Sequence, residues 1–321
     1  MKVSALLSLL DDQKVHSGES LAKALGVSRT AVWKQIRKAL DDGVEIRTIK
    51  GRGYQLMSAV DLLDPDAINR DLPQALKSRI DLSVLSEVTS TNREVASRLP
   101  TCDSASPVVL ADSQSAGRGR MGRPWASPKA ENLYLSLGLT LTGGFAALEG
   151  LSLVLGLAVA NALEGLGAVP VGLKWPNDLY ASGQKVGGIL VEIQGELQEG
   201  KVQVIAGIGI NVHMSQSEVV DQPWTSLALA WPEQKWNRGK IATAILVEID
   251  RAMEKFEANG FPWFAKQWQE RDIFYDKPLV ANDGALFGVG AGIDSKGNYL
   301  VTQGDETNAV RAGDIRLRVQ A

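Results

Sequence analysis

Three stretches near the beginning of the chain carry apolar residues at the spacing of one helical face. They contain Val3, Leu6, Leu7 and Leu10, then Leu21, Ala24 and Leu25, and finally Val32, Ile36 and Leu40. Ser17 and Ser28 precede the second and third stretches and are typical N-cap residues, while Gly26 ends the second stretch. Two helices joined by a tight glycine turn are typical of a helix-turn-helix unit.

A period-two pattern follows this unit. The stretches Val44–Ile49 and Tyr54–Leu56 flank the turn Lys50–Gly53, which predicts a β-hairpin and therefore a winged helix-turn-helix. Residues 1–57 carry ten Lys or Arg and six Asp or Glu, although the whole chain has a net charge of −3. A basic unit on an acidic body indicates nucleic-acid binding at one end of the molecule.

The residues expected to contact DNA lie on the third helix and on the wing. They are Ser28, Arg29, Thr30, Trp33, Lys34 and Arg37 on the helix, and Lys50 and Arg52 on the wing. The alternative is a basic helical unit that packs only on the rest of the protein or on a protein partner.

The remaining chain mixes strands with helices beyond the linker-like segment Asp61–Asp66. Strands are predicted over Asp81–Leu85, Pro107–Ala111, Leu133–Leu141, Val186–Gln194 and Lys201–Ile208, and helices after Asn92 and over Phe145–Leu166. This mixture predicts an α+β fold around a mixed sheet, not a doubly wound parallel sheet.

The last part of the chain, Lys277–Val319, reads as short strands separated by turns at 282–284, 295–297 and 304–305. It predicts a small β-barrel. The expected domains are therefore a DNA-binding domain (1–63), a ligand-binding α/β domain (64–275) and a C-terminal barrel (276–321).

Composition narrows the class of protein further. The chain has 321 residues, of which 45% are hydrophobic and 22% charged, as in a soluble globular protein. A single cysteine, Cys102, excludes a disulfide framework, and two distant histidines make a histidine metal cluster improbable. The longest apolar stretch, Leu151–Leu163, is shorter than the ~20 residues that span a bilayer. We expect a cytoplasmic protein with no membrane segment.

The segment Ser113–Ala130, here called the arginine loop, has four basic residues and no acidic one. Its glycines match G-x-G-x-x-G, but Pro124 and Pro128 follow where a dinucleotide-binding fold needs a helix, so we reject that assignment. The sequence instead predicts a loop that becomes ordered around a phosphate-bearing ligand. A solvated basic surface loop is the alternative.

Two further segments have the composition of a ligand site. Lys174–Asp178 (KWPND) places Asn and Asp beside a rigid Trp-Pro pair, and Lys185 precedes the paired glycines of a strand. The glycines of Gly207–Asn211 also leave room for a ligand. A surface salt bridge, a β-bulge and plain close packing are the alternatives for these segments.

Six motifs occur in one order along the chain: STN (90–92), GRGRMGRPW (117–125), NLYLS (132–136), KWPNDLY (174–180), KVGGILVE (185–192) and GIGIN (207–211). With them the chain resembles the biotin protein ligases, and with its winged helix it resembles the bifunctional biotin ligases that also repress a biotin operon. The resemblance covers essentially the whole chain. It implies a class II synthetase-like catalytic domain and an SH3-like C-terminal barrel.

The resemblance also implies the chemistry. Biotin and Mg-ATP would give biotinoyl-5′-AMP, and a lysine of a biotin carboxyl carrier protein would then displace AMP. Adenylate binding would promote a homodimer, which binds operator DNA, and the dimer surface would be the hairpin Ile189–Gln194 and Lys201–Ile205. A lipoate-type ligase, a ligand-sensing repressor without catalysis, and a ligase that no longer binds DNA are the alternatives.

Residue roles follow from the same resemblance. The catalytic residues would be Lys185, Asp178 and Arg118. Biotin would be bound by Ser90, Thr91, Asn92, Gln114, Gly117, Arg118, Gly119, Arg120, Lys185, Gly188 and Gly207. ATP and the adenylate would be bound by Arg118, Arg120, Arg123, Asn177, Asp178, Lys185, Asn211 and Trp224. Mg²⁺ would arrive with ATP, and the sequence assigns no ligands to it. Met121 and the segment Pro124–Ala126 depart from the family pattern in the part of the loop over biotin.

Overall fold

A computed structural model of the chain describes residues 3–10, 12, 14–41, 44, 46–57, 61–99, 105–198, 200–217, 220, 222–281, 287–311 and 317–319. The turn expected at 282–284 and Cys102 lie outside the described residues.

The N-terminal unit contains three helices and a hairpin. These are α1 (Val3–Leu10), α2 (Gly18–Leu25), α3 (Arg29–Asp41), β1 (Ile46–Ile49) and β2 (Gly53–Leu56). Ser17 Oγ accepts a hydrogen bond from the Ser20 amide at 3.0 Å, and Gly26 ends α2 with φ of 63°. Both are the caps that the sequence predicts, and the winged helix-turn-helix is confirmed.

The buried positions of this unit differ at two residues from the apolar faces that the spacing indicates. Leu40 is 39% exposed, and Ala39 is buried in its place because the core side of α3 follows the i, i+4, i+7 series Val32, Ile36 and Ala39. In α2, Ala24 is exposed and its neighbour Ala22 is buried.

The central domain is built on a seven-stranded sheet in the order β3-β4-β5-β9-β8-β7-β6. Its strands are β3 (Ile80–Leu85), β4 (Ser106–Ala111), β5 (Asn132–Thr142), β6 (Gly172–Lys174), β7 (Asp178–Ala181), β8 (Gln184–Gln198) and β9 (Lys201–Asn211). The pair β3–β4 is parallel and the other pairs are antiparallel. The predicted mixed sheet is confirmed.

Helices cover both faces of this sheet. They are α4 (Pro65–Asp71), α5 (Gln74–Lys77), α6 (Thr91–Arg98), α7 (Leu151–Gly165), α8 (Leu227–Ala230), α9 (Arg238–Asn259) and α10 (Ala265–Gln269). Val108 of β4 belongs to the large core that contains α7 and α9, whereas Val109 packs with Val95 of α6 in a separate cluster. Because successive strand residues point to opposite faces, α6 lies on the face opposite α7 and α9.

The single long helix predicted over Phe145–Leu166 is wrong at its N-terminal end. A short 3₁₀ turn (Gly144–Leu148) precedes Gly150, whose φ of 74° interrupts the helix, and a Cβ there would lie 2.3 Å from the Phe261 ring. Within the described residues, the stretch Gly144–Gly165 is long and apolar enough to cross a membrane, and 61% of its most apolar window is buried inside the fold. Such burial is typical of a core helix.

The C-terminal unit is a five-stranded antiparallel sheet in the order β13-β12-β11-β10-β14. Its strands are β10 (Pro278–Ala281), β11 (Phe287–Ile293), β12 (Tyr299–Gln303), β13 (Glu306–Val310) and β14 (Leu317–Val319). The turns predicted at 295–297 and 304–305 are confirmed. The Trp175 indole donates to the carbonyl of Gly297 at 3.0 Å, which joins this unit to the KWPND segment.

Candidate functional site

A cavity of about 590 Å³ opens where the start of α6, the arginine loop, the KWPND segment and the strands β8 and β9 meet. Its size is that of a site for a small organic ligand. The predicted site residues that line it are Ser90, Thr91, Asn92, Gln114, Arg118, Gly119, Arg120, Arg123, Asn177, Asp178, Lys185, Gly188, Gly207, Asn211 and Trp224. These residues come from five of the six motifs, together with Gln114 and Trp224, and they therefore converge on one cavity although they are far apart in the sequence.

Gly117 is the predicted site residue that does not line the cavity. Its carbonyl accepts from the Trp125 amide at 2.9 Å, and a Cβ on it would lie 2.6 Å from Ser127 Oγ. The glycine therefore allows the two arms of the arginine loop to cross closely at its base.

Lys185 and Asp178 form an ion pair on the cavity wall. Lys185 Nζ lies 2.7 Å from Asp178 Oδ1, with the lysine side chain 13% exposed. The antiparallel register of β7 and β8 places Lys185 opposite Tyr180, and Asp178 lies two residues before Tyr180 on the same face of β7. The ammonium also lies 5.4 Å from the centre of the Trp125 ring. A cation held in this way, facing the cavity, is suited to a ligand with negative charge.

Trp224 reaches this wall through backbone pairing. The Lys185 amide donates to the carbonyl of Pro223 at 3.2 Å, and the Thr225 amide donates to the carbonyl of Lys185 at 2.9 Å. Trp224 consequently lies beside Lys185.

Two arginines of the loop reach toward different ends of the cavity. An Arg118 guanidinium nitrogen lies 3.2 Å from Glu192 Oε1, and Asn92 Nδ2 donates to Glu192 Oε2 at 2.6 Å. The Arg120 guanidinium donates to Asn177 Oδ1 at 3.4 Å. Burial lowers the pKa of Arg120 and the Asp178 carboxylate opposes that shift. Because arginine titrates far above neutral pH, Arg120 stays cationic despite this shift.

A chain of short polar contacts surrounds the STN segment. Ser136 Oγ lies 2.6 Å from Asn92 Oδ1 and 2.7 Å from Thr91 Oγ1, and the Thr91 amide donates to Gln114 Oε1 at 2.9 Å. This amide and hydroxyl cluster is held rigidly, which suits recognition of a small polar ring.

Sequence reasoning missed Glu192, Ser136 and Trp125 as members of the site. Glu192 and Ser136 stand inside the KVGGILVE and NLYLS motifs, but nothing local shows that their side chains face the cavity region. Trp125 lines the cavity, and a Cβ on Gly209 would lie 2.6 Å from its ring. A Cβ on Gly207 would lie 2.2 Å from Asn92 Oδ1, so the glycines of GIGIN admit two wall side chains.

Lys174 is a further cation on the cavity wall. It donates to the Tyr180 hydroxyl at 3.0 Å and lies 5.5 Å from the centre of the Phe274 ring. Burial lowers its pKa, while the Asp178 carboxylate raises it. The surface salt bridge considered for Lys174 is replaced by contacts with aromatic side chains.

The residues predicted to contact DNA form an exposed basic surface. Ser28, Arg29, Thr30, Trp33, Lys34, Arg37, Lys50 and Arg52 are all exposed. Ser28 Oγ accepts from the Ala31 amide at 3.2 Å and so caps α3. Trp33 is 51% exposed, and the Arg37 guanidinium lies 5.6 Å from the centre of its ring. An exposed aromatic among cations is a common feature of a nucleic-acid surface.

Comparison with known proteins finds relatives for both the helix-turn-helix unit and the central domain. A model of the biotin/lipoate A/B protein ligase family matches residues 84–211, and a helix-turn-helix domain model matches residues 2–55. The bifunctional ligase/repressor BirA of Salmonella typhimurium is 39% identical over 317 residues, covering 98% of this chain and 96% of that protein. The bifunctional ligase/repressor BirA of Bacillus subtilis is 31% identical over 309 residues, covering 94% of this chain and 93% of that protein.

A solved structure gives the same result for the ligase part. The biotin protein ligase from Aquifex aeolicus in complex with biotin and ATP matches with a TM-score of 0.65 and 31% identity, over 75% of this chain and 99% of that chain. The chain belongs to the biotin/lipoate A/B protein ligase family, in the group of bifunctional ligase/repressors that carry a helix-turn-helix domain before the ligase domain.

Proposed function

We propose that this protein activates biotin with ATP to biotinoyl-5′-AMP, transfers biotin to a lysine of a biotin carboxyl carrier protein, and represses transcription in response to biotin. The proposal rests on one observation: Lys185, Arg118 and Arg120 line a single cavity. Thr91, Asn92 and Gln114, which belong to the polar cluster at the STN segment, line the same cavity. The same cavity thus contains cations for anionic groups and hydrogen-bonding side chains for the ureido ring of biotin.

The first step joins two anions. The biotin carboxylate attacks the α-phosphate of ATP, the bond to the β-phosphate breaks, and pyrophosphate leaves. Lys185, held by Asp178, neutralises charge where the two anions meet. A positioned cation at developing charge stabilises the transition state without reorganisation.

The polar cluster of Thr91, Asn92 and Gln114 would hold the biotin ureido group, whose carbonyl accepts and whose N–H groups donate hydrogen bonds. Glu192 joins Arg118 to this cluster, because it contacts both Arg118 and Asn92. Trp224, beside Lys185 and on the cavity wall, would stack on adenine.

In the second step the amine of an acceptor lysine attacks the acyl carbon of the mixed anhydride, and AMP leaves. The adenylate hydrolyses readily in water, so the arginine loop would cover it until the acceptor arrives. The closed loop would therefore both retain the adenylate and exclude water from it.

Mg²⁺ would enter with ATP. Asn177 and Asp178 supply amide and carboxylate oxygens on the cavity wall, the donor types that Mg²⁺ accepts together with substrate phosphates. When bound, the ion would neutralise triphosphate charge.

The repressor function would use the basic surface of α3 and the wing. Two copies on a two-fold operator would double the phosphate contacts of one weakly charged unit. Adenylate-dependent dimerisation through the β8–β9 hairpin would supply the second copy. Because the reaction consumes ATP, we place it in the cytoplasm.

The decisive experiment incubates the full chain with biotin, ATP, Mg²⁺ and a biotin carboxyl carrier domain, and measures the mass of the carrier. We expect a gain of one biotinoyl group on a single lysine, dependent on ATP. Lipoate in place of biotin distinguishes the related lipoate-type ligase, and pyrophosphate release distinguishes a sensor without catalysis. Modification by lipoate but not biotin, or no release of pyrophosphate, would overturn the proposal.

A further inference from the structure

Arg238, the first residue of α9, is completely buried. A buried guanidinium persists only when carboxylates and carbonyls satisfy its charge and its N–H groups. It lies 2.5 Å from Asp112 Oδ1 and donates to the carbonyl of Asn132 at 2.9 Å. Burial raises the pKa of Asp112, and the attraction of Arg238 opposes that rise.

Asp112 and Asn132 flank the arginine loop on its two sides. Asp112 follows β4 directly, Asn132 begins β5, and the Ala130 amide donates to the carbonyl of Asp112 at 2.9 Å. Arg238 therefore fastens the base of the loop on both sides. None of these three residues lines the ligand cavity.

The same side chain also holds the segment that leads to the winged helix. Arg238 Nε donates to the carbonyl of Asp61 at 2.7 Å, and the Arg238 amide donates to the Asp61 carboxylate at 2.5 Å. His213 Nε2 lies 3.0 Å from that carboxylate, and Asn237 Nδ2 donates to it at 2.9 Å.

Asp61 stands at the meeting point of two cores. Its neighbour Leu62 packs against the hydrophobic core of the winged helix, and the next residue, Leu63, belongs to the core of the ligase domain. The Leu63 amide also donates to Asp112 Oδ1 at 3.3 Å. A displacement of Asp61 therefore changes the contacts of both the linker and the loop base.

We infer that Arg238 is a junction that couples closure of the arginine loop over the adenylate to the placement of the DNA-binding domain. The inference rests on the proposed function, since it assumes that the loop closes on an adenylate. A rigid guanidinium has a fixed number of donors, so movement of Asp112 or Asn132 redistributes its hydrogen bonds toward or away from Asp61. Such coupling is reciprocal: the linker biases the loop as much as the loop biases the linker.

The test uses the full chain and the variant Asp61→Asn, which alters the linker arm at a residue that does not line the cavity. Two quantities are measured: the rate of biotinoyl-AMP release, and the ratio of operator affinities with and without the adenylate. We expect release to quicken and the affinity ratio to fall, each by ~5-fold or more, the lower end of typical allosteric coupling. Asp71→Asn is the matched control, because that exposed residue pairs only with its neighbour Arg70 in the salt bridges of the described residues.

A general loss of stability would not change the affinity ratio in protein that remains folded, so the ratio separates coupling from simple damage. If Asp61→Asn does not fold, His213→Gln removes one contact of the same carboxylate and should give a smaller change in the same direction. Unchanged release and an unchanged ratio in the folded variant would overturn the inference. A wild-type chain that forms no adenylate would instead refute the proposed function.

Discussion

Lys185 combines partial burial, an ion pair with Asp178 and a position on the cavity wall. Removing one preorganised group that stabilises developing charge costs ~10²–10³ in rate. We expect Lys185→Ala to slow single-turnover formation of biotinoyl-AMP by that factor while the protein stays folded. Lys201→Ala, an exposed lysine at the start of β9, is the control. Equal adenylation rates in the two variants would show that Lys185 does not take part in adenylate formation.

Arg118 is held by Glu192, which also accepts from Asn92, so the loop and the STN segment share one carboxylate. Loss of the guanidinium leaves this part of the loop without its charged contact. We expect Arg118→Ala to release biotinoyl-AMP at least ~10-fold faster, an order-of-magnitude figure for one charge-assisted contact, and to biotinylate bystander lysines. Release as slow as in an Arg93→Ala control, which alters an exposed arginine on α6, would contradict this role.

Elements are joined through side chains as much as through backbone. The segment between α10 and β10 pairs with β6 at Leu173 and then with β11 at Gly290, and so it ties the ligase sheet to the C-terminal sheet. Tyr299 of β12 donates to Asp272 Oδ2 at 2.7 Å, and its ring centre lies 5.8 Å from that of Trp175 in the KWPND segment. The C-terminal unit thus supports one wall of the cavity.

Burial raises the pKa of Asp272 from 3.8 to about 6, although hydrogen bonds from Tyr299 and the Phe274 amide oppose the shift. Since the folded-state pKa is the higher one, the native protein binds more protons between about pH 4 and 6. The stabilising contribution of this group is therefore complete below pH 4 and is lost as the pH rises through 6.

We expect Asp272→Asn to flatten the pH dependence of the unfolding free energy over this interval, by at most about 1.36 kcal/mol per pH unit. Denaturant unfolding of both proteins at pH 4, 5, 6 and 7 measures the difference. Parallel stability curves over this range would show that Asp272 is not the titrating group.

At the scale of the whole molecule, a basic DNA-binding unit precedes an acidic body, and a free strand edge offers a place for a second copy. β7 pairs with β8 as far as Gly188, and Asn177 bonds to the amide and carbonyl of Ile189. Within the described residues, no strand pairs with that edge from Leu190 to Gln194. Ile193 on this stretch is 50% exposed.

We expect biotinoyl-AMP to shift the protein from monomer toward dimer in sedimentation experiments and to tighten operator binding. Differential contacts of the ligand in the two states are the physical requirement for such a shift. Ile193→Lys should weaken the dimer, because a lysine on a strand edge opposes edge-to-edge pairing, and should leave the adenylation rate unchanged. A ligand-independent monomer–dimer equilibrium would leave the repressor proposal without its mechanism.

Much of the fold follows from local patterns. The caps at Ser17 and Gly26, the wing, five of the seven central strands and the turns at 295–297 and 304–305 are where the sequence predicts them, because hydrophobic periodicity and turn chemistry act over a few residues. The short strands β6 and β7 were not predicted. The same local patterns predicted that α7 begins at Phe145, whereas it begins after Gly150. They also gave no prediction for α9, although Ile241, Ile245 and Ile249 repeat at helical spacing and are buried.

The order of the motifs identified the family from the sequence alone, and the small-molecule site residues predicted from it line one cavity, with the exception of Gly117. Glu192, Ser136 and Trp125 were not predicted. Tertiary structure decided how those residues are held. Glu192 lies 74 residues from Arg118, and Asp61 lies 177 residues from Arg238. No periodicity or motif relates such pairs, because strand order and helix packing bring them together. Whether a charge is buried, and which partners satisfy it, is therefore known only once the chain has folded.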